Sequence, residues 1–228
     1  MLVITDTDTL AATCRAFAHA PYVTIDTEFL RERTYYAQLC LVQIARPEGV
    51  DDGAPTAAIV DPLAEGIDLS PLFELLQRDV LKVFHAARQD VEIFHHLTGH
   101  IPAPLFDTQV AAMVCGYGDQ VGYETLVRRI AKAEVDKSSR FTDWSRRPLS
   151  KKQLTYALAD VTHLRQVYEA LSERLHSSGR AAWVSEEMAV LTSPGTYETD
   201  PDEVWRRVKA RSQSPRFLAL VRSLARWR

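Results

Sequence analysis

Within Val23-Thr24-Ile25-Asp26-Thr27-Glu28-Phe29 two carboxylates stand two residues apart in an otherwise apolar, β-branched segment. Side chains alternate along a strand, so Asp26 and Glu28 share one face. Two like charges side by side in a half-buried setting repel unless a cation or a shared proton offsets them. A divalent metal site is the reading with chemical content. A D-x-E pair on an ordinary exposed strand face is the bland one.

Three further residues enlarge the set. Asp90 closes His85-Ala86-Ala87-Arg88-Gln89-Asp90, which follows an expected strand, so it falls in the first turn of a helix, where by itself it would only complement the helix dipole. Tyr156 and Asp160 lie four apart on a strongly helical stretch and project from one face. Leu154, Leu158, Val161 and Leu164 supply the apolar stripe that docks that helix. Asp26, Glu28, Asp90 and Asp160, without a matching cluster of His or Cys, form a hard all-oxygen ligand set suited to Mg²⁺ or Mn²⁺ rather than zinc. Three or four carboxylates suffice to bridge two such ions roughly 4 Å apart, the arrangement used to hydrolyse phosphate esters.

The elements that must position these groups follow from periodicity and punctuation. Leu2 to Thr5 is a short apolar segment, and Thr7 to Ala20 is helical behind Asp6 or Thr7 as cap. Strands are expected at Tyr22 to Phe29, Gln38 to Ala45 and Ala57 to Val60, the last after a turn-rich connection from Pro47 to Pro55. Three successive strands without helices between them imply an antiparallel meander. Helix and strand then alternate: Pro71 to Gln77, Leu81 to Phe84, Arg88 to Leu97 and Leu105 to Asp107. Helices dominate afterwards, at Thr108 to Val114, Tyr123 to Ala131, Lys151 to His176 and Ala181 to Leu191, with a last amphipathic segment from Arg216 to Trp227. The whole implies a mixed sheet flanked by helices.

With 228 residues, 46% of them hydrophobic, the chain can bury one sizeable core and little more. Its apolar runs fall well short of the roughly 20 residues of a membrane span, and no basic-then-apolar leader opens the sequence, so the expectation is a protein without membrane contact. Cys14, Cys40 and Cys115 are odd in number and scattered, which fits buried thiols rather than a disulfide or zinc framework. The net charge of −3 is unevenly spread: residues from Trp205 onward hold eight positive charges and no acid, which leaves −11 on the first 204. Such a tail reads as a phosphate-binding strip or as a solvated helix face.

Taken in order, the blocks resemble ribonuclease D, in the group of exonucleases named for four acidic residues and a tyrosine. Asp26-Thr27-Glu28-Phe29, followed by Arg31, Arg33, Thr34-Tyr35-Tyr36 and Gln38 to Gln43, is similar to the first exonuclease motif of that family; Phe84-His85-Ala86 to Asp90 is similar to the second, and Tyr156-Ala157-Leu158-Ala159-Asp160 to the third. Phe106-Asp107-Thr108-Gln109, Gly122-Tyr123, Asp136-Lys137-Ser138, Thr142-Asp143-Trp144 and Arg147-Pro148-Leu149 resemble intervening blocks.

The resemblance implies a ribonuclease-H-like α/β fold: a mixed β-sheet, antiparallel meander plus parallel strands, flanked by α-helices. It implies a 3′→5′ exoribonuclease using two divalent metal ions, Mg²⁺ or Mn²⁺, to release nucleoside 5′-monophosphates. Asp26, Glu28 and Asp160 are then expected to hold the first ion, with Asp26 and Asp90 on the second. Tyr156 orients the attacking water; a phenol, with an ordinary pKa of about 10, is a poor base at neutral pH. Glu28 and nearby backbone engage the 3′-hydroxyl, and Thr27, Phe29, Gln38 and His85 contact the last nucleotides. Phe29 shares a face with Val23, Ile25 and Thr27, so core packing competes for it. The implied partner is RNA with a free 3′ end, transfer-RNA precursors among others, in the cytoplasm and without an obligate protein partner. Residues 1–192 are expected as the exonuclease domain and 193–228 as a linker and the opening of a helical domain of the helicase-and-RNase-D C-terminal type. A DNA exonuclease of the same superfamily and a non-catalytic RNA-binding module are the competing readings.

Overall fold

In a computed structural model the described residues are 1–49, 53–139, 142–198 and 200–227. Parts of the expected connection at 47–55 (residues 50–52) and of the basic tail (Arg228) lie outside them.

The strands are β1 (Leu2–Ile4), β2 (Tyr22–Leu30), β3 (Gln38–Ala45), β4 (Ala57–Val60), β5 (Leu81–Phe84) and β6 (Leu105–Asp107). They form one sheet in the order β1-β4-β3-β2-β5-β6. β2, β3 and β4 make the expected antiparallel meander, while β1 joins β4, and β5 joins β2 and β6, in parallel. The near-continuous apolar run of β3 is explained by its place inside the sheet, covered on both faces: every residue from Leu39 to Ala45 is buried.

The helices of the larger unit are α1 (Thr7–Phe17), α2 (Ser70–Gln77), α3 (Arg88–Thr98), α4 (Thr108–Val114), α5 (Tyr123–Leu126), α6 (Lys151–Ser177) and α7 (Ala181–Leu191). Expected as one helix, 123–131 is α5 followed by a wider π turn at Val127–Ala131, which fits an extra residue into the turn. α6 starts behind a capping box in which Ser150 and Gln153 satisfy each other's orphan groups, which fixes where Tyr156 and Asp160 fall along the helix. The helix packs across β2, β3 and β4. Thr24 Oγ1 donates to the Val161 carbonyl at 2.8 Å and so sets the height of α6 over β2.

Alternation along β2 separates its roles. Thr24, Asp26 and Glu28 belong to the face that meets α6, and Val23, Ile25 and Thr27 to the other. Opposite Glu28 the pairing with β3 slips, from Glu28–Leu41 to Phe29–Leu39, so Cys40 is an extra residue in a bulge. Phe29 is partly exposed, whereas Val23 and Ile25 are fully buried.

A compact first unit covers Met1–Thr192, and Ser193–Arg228 forms a second. The latter holds two short 3₁₀ turns and α8 (Pro215–Trp227), none of whose described side chains is buried. Within it Arg206 pairs with Glu203 at 2.7 Å, and Arg222 and Arg226 both reach Asp202 at 3.2 Å. All three cysteines are free and buried. Among the described residues no helix is long and apolar enough to cross a membrane.

Candidate active site

One carboxylate oxygen from each of Asp26, Glu28 and Asp160 lies within 4.8 Å of the others. The first two come from adjacent positions on one face of β2, the third from α6 docked above it. Burial, and then the charge of Asp160, hold the Asp26 carboxyl well above the ordinary carboxylate range of about 3.8. A divalent cation would relieve that repulsion, and the donors are hard oxygens of the kind Mg²⁺ and Mn²⁺ take. The residues present therefore fit the metal that their pattern suggested.

Asp90 stands outside this group of three. Buried in the first turn of α3, it accepts a hydrogen bond from Thr27 Oγ1 at 2.5 Å. Its carboxyl is also raised, by burial first and by the charge of Asp26 second. Asp26 thus stands between the two: it feels the charge of Asp160, and Asp90 feels the charge of Asp26. Two helices bring acids to β2 near its C-terminal end, α6 on one face and α3 by way of Thr27 on the other.

A pocket of about 270 Å³ opens beside the acids, lined by Asp26, Asp160, Tyr156, His85 and the stretch Gly122–Thr125. Tyr156 and Asp160 face it together, as their spacing of four on α6 predicts. The Tyr156 ring leans on the buried indole of Trp144, with centroids 6.1 Å apart. Arg147 pins the segment that carries Trp144: its guanidinium grips Asp61 through two bonds of 2.6 Å and also reaches the Cys40 and Trp144 carbonyls, each at 2.8 Å.

His85 lines the same pocket, its ring 5.5 Å from that of Tyr123. Thr108 Oγ1 donates to the Phe84 carbonyl at 3.0 Å, which leaves His85 Nδ1, also 3.0 Å away, as the donor to Thr108. Burial lowers the His85 pKa, so the ring is biased to its neutral form. Of the other expected nucleotide contacts, Thr27 is buried with its hydroxyl engaged by Asp90. Gln38 is exposed at the start of β3, in a neighbouring groove with Leu30, Arg33 and Asp143.

Two contributors escaped the sequence reading as site residues. Asp107 accepts the backbone N–H groups of Ala86, Ala87 and Gln109 at 3.0, 2.8 and 2.7 Å. It thereby clamps the β5–α3 turn, in which Ala86 takes the left-handed φ of 56°, and sets where His85 and Asp90 point. An acid at a strand–helix junction is the signal that marks it. The Tyr123 hydroxyl donates to the Asp160 carbonyl and holds α6 from inside the pocket.

Known proteins resemble this chain in sequence and fold. Residues 1–176 match a family model described as 3′-5′ exonuclease. Ribonuclease D of Jannaschia sp. (strain CCS1) is 63% identical over 226 residues, 99% of this chain and 58% of that protein. The chain thus spans rather more than half the length of that relative. Among solved structures, Escherichia coli RNase D, an exoribonuclease involved in structured RNA processing, matches with a TM-score of 0.85 at 35% identity, over 99% of this chain and 58% of that one. Brucella melitensis NrnC with bound Mg²⁺ matches with a TM-score of 0.69 at 26% identity, over 93% and 96% of the two chains.

Proposed function

The chain belongs to the 3′-5′ exonuclease family, and on that premise we propose that it shortens RNA from a free 3′ end, releasing nucleoside 5′-monophosphates, with two Mg²⁺ or Mn²⁺ ions in its site. The observation that carries the reading is the convergence of Asp26, Glu28 and Asp160 within 4.8 Å, beside a pocket shared with Tyr156. These three acids would hold one ion, and Asp26 with Asp90 the other. Bound there, the ions would supply an activated hydroxide and stabilise the charge that builds on the phosphate.

The chain's own groups do the rest. Tyr156, held by Trp144, orients the attacking water in the pocket. Glu28 and the backbone beside it engage the terminal 3′-hydroxyl, which makes the activity exonucleolytic. Phe29, Gln38 and His85 contact the last nucleotides, and Thr27 contributes chiefly through Asp90. Neutral His85 offers a hydrogen bond and no charge.

RNA is favoured over DNA by the likeness to ribonuclease D proteins, and the Escherichia coli neighbour is an exoribonuclease involved in structured RNA processing; transfer-RNA precursors are the structured RNAs proposed as substrates of this chain. The same reading makes the protein cytoplasmic and independent of an obligate protein partner. It also assigns residues 193–228 to a linker and the opening of a helical domain that helps bind RNA. A scaffold released from catalysis would have no reason to keep a repulsive carboxylate cluster.

Matched RNA and DNA oligonucleotides, 5′-labelled, with free and blocked 3′ ends, test the proposal in the presence of Mn²⁺. RNA with a free end should shorten stepwise and its blocked counterpart should resist. DNA digested as fast as RNA would refute the substrate assignment, and cleavage of blocked RNA the exonucleolytic one.

A further inference from the structure

Gln43 is fully buried on β3, between Val42 and Ile44, in direct register with Asp26 on β2. Residues directly opposite in an antiparallel pair share a face, with Cβ atoms about 4.5–5.5 Å apart. Its amide therefore lies beside the carboxylate of Asp26, which meets Asp160 and Glu28 within 4.8 Å. Both polar atoms, Oε1 and Nε2, are without a hydrogen-bond partner. Nothing in the packing of this strand asks for an amide: Met or Leu would fill similar volume among its neighbours without leaving a donor and an acceptor unpaired.

Unpaired buried polar groups are rare enough that each calls for an explanation, an incomplete functional site among the possibilities. Among the described residues the only other such atom is Trp144 Nε1, on the indole that supports Tyr156. Both orphans thus flank the candidate active site. We infer that Gln43 is a positioning residue of the carboxylate site, its Nε2 donating to Asp26 when the cation is bound; this rests on the metal-dependent reading above. A carboxylate that binds metal retains lone pairs for donors, and such a donor fixes its orientation. An amide gives that hydrogen bond without adding a negative charge to a crowded acidic site.

The test compares wild type, Gln43→Met and Asp26→Asn as full chains. Mn²⁺ affinity is measured by calorimetry, metal-free thermal stability by melting, and kcat and KM on a 3′-free RNA. Gln43→Met should melt no lower than wild type without metal, because it removes an unpaired buried amide. Its Mn²⁺ affinity should nonetheless fall about 10- to 100-fold, with kcat reduced and KM for RNA little changed. Should Gln43→Met fail to fold, Gln43→Leu replaces it with the same expectations. Wild-type Mn²⁺ affinity in the folded variant would overturn the inference and leave the metal-dependent reading standing; that outcome is expected if an internal water serves the amide. Wild-type protein that bound no Mn²⁺ would bring down both.

Discussion

Thr27 Oγ1 lies 2.5 Å from Asp90 Oδ1, so β2 presents two carboxylates on one face and steers a third from the other. The three consecutive residues Asp26, Thr27 and Glu28 thereby serve both helices that bring acids to the strand. In Thr27→Val the shape is kept and the donor is lost. Stability should fall by about 1–2 kcal/mol, as for a buried hydrogen bond to an ionisable group, and the digestion rate should fall although no acid has been changed. Calorimetric melting and single-turnover rates check this; an unaltered rate in a destabilised variant would show that Asp90 needs no steering.

Tyr156 is held by Trp144 and by the fixed start of α6. Tyr156→Phe keeps the ring that packs on Trp144, so it should fold and bind Mn²⁺ as before. Its single-turnover rate should drop at least about tenfold, in the range for loss of one positioned catalytic group. Equal rates would remove the tyrosine from the chemical step.

Much of this arrangement is legible in the residues because it is periodic. The spacing of Asp26 and Glu28 forces a shared strand face, and that of Tyr156 and Asp160 a shared helix face, whatever the rest of the chain does. The meander and the β-α-β alternation follow from where apolar runs stop. What remains hidden is set by tertiary contacts. No local pattern shows that Asp160 reaches Asp26 across more than a hundred residues, that Asp107 collects three backbone N–H groups, or that Thr27 faces Asp90. The bulge opposite Glu28 is hidden for the same reason: it is a property of the pairing with β3.

Metal and pH should act together on stability. Asp26 and Asp90 have carboxyls raised above about 3.8 in the fold, so the folded state keeps their protons to higher pH than the unfolded chain does. The stability linked to those protons is full below about pH 3.8 and is lost as pH rises through the folded-state values. Cations need the deprotonated ligands, so the rise in Tm on adding Mn²⁺ should grow as pH rises through the acidic range towards neutral. Thermal melts with Mn²⁺ and with chelator across that range check it. A rise that shrinks with pH would contradict ligation by these acids.

Residues 193–228 carry eight basic and four acidic side chains, and the pairs of Arg206, Arg222 and Arg226 with Glu203 and Asp202 are exposed. Pairs of this kind contribute about 0–1 kcal/mol each, so phosphates can displace them. Replacing Arg207, Lys209, Arg211 and Arg216 together by Ala should weaken RNA binding. It should also flatten the dependence of log affinity on log salt by up to about 3, at roughly 0.7 for each single-strand phosphate that is no longer neutralised. An unchanged slope would make the strip a solvated face only.

On the proposed function, the carboxylates meeting on β2 perform metal-dependent digestion from the 3′ end. The rate of shortening of a 5′-labelled RNA by Asp26→Ala and Asp160→Ala in Mn²⁺ checks this, each variant first shown by circular dichroism and melting to be folded. Both should be folded and inactive, while wild type produces a ladder that chelator abolishes. Digestion at a wild-type rate by either folded variant would remove these carboxylates from the reaction.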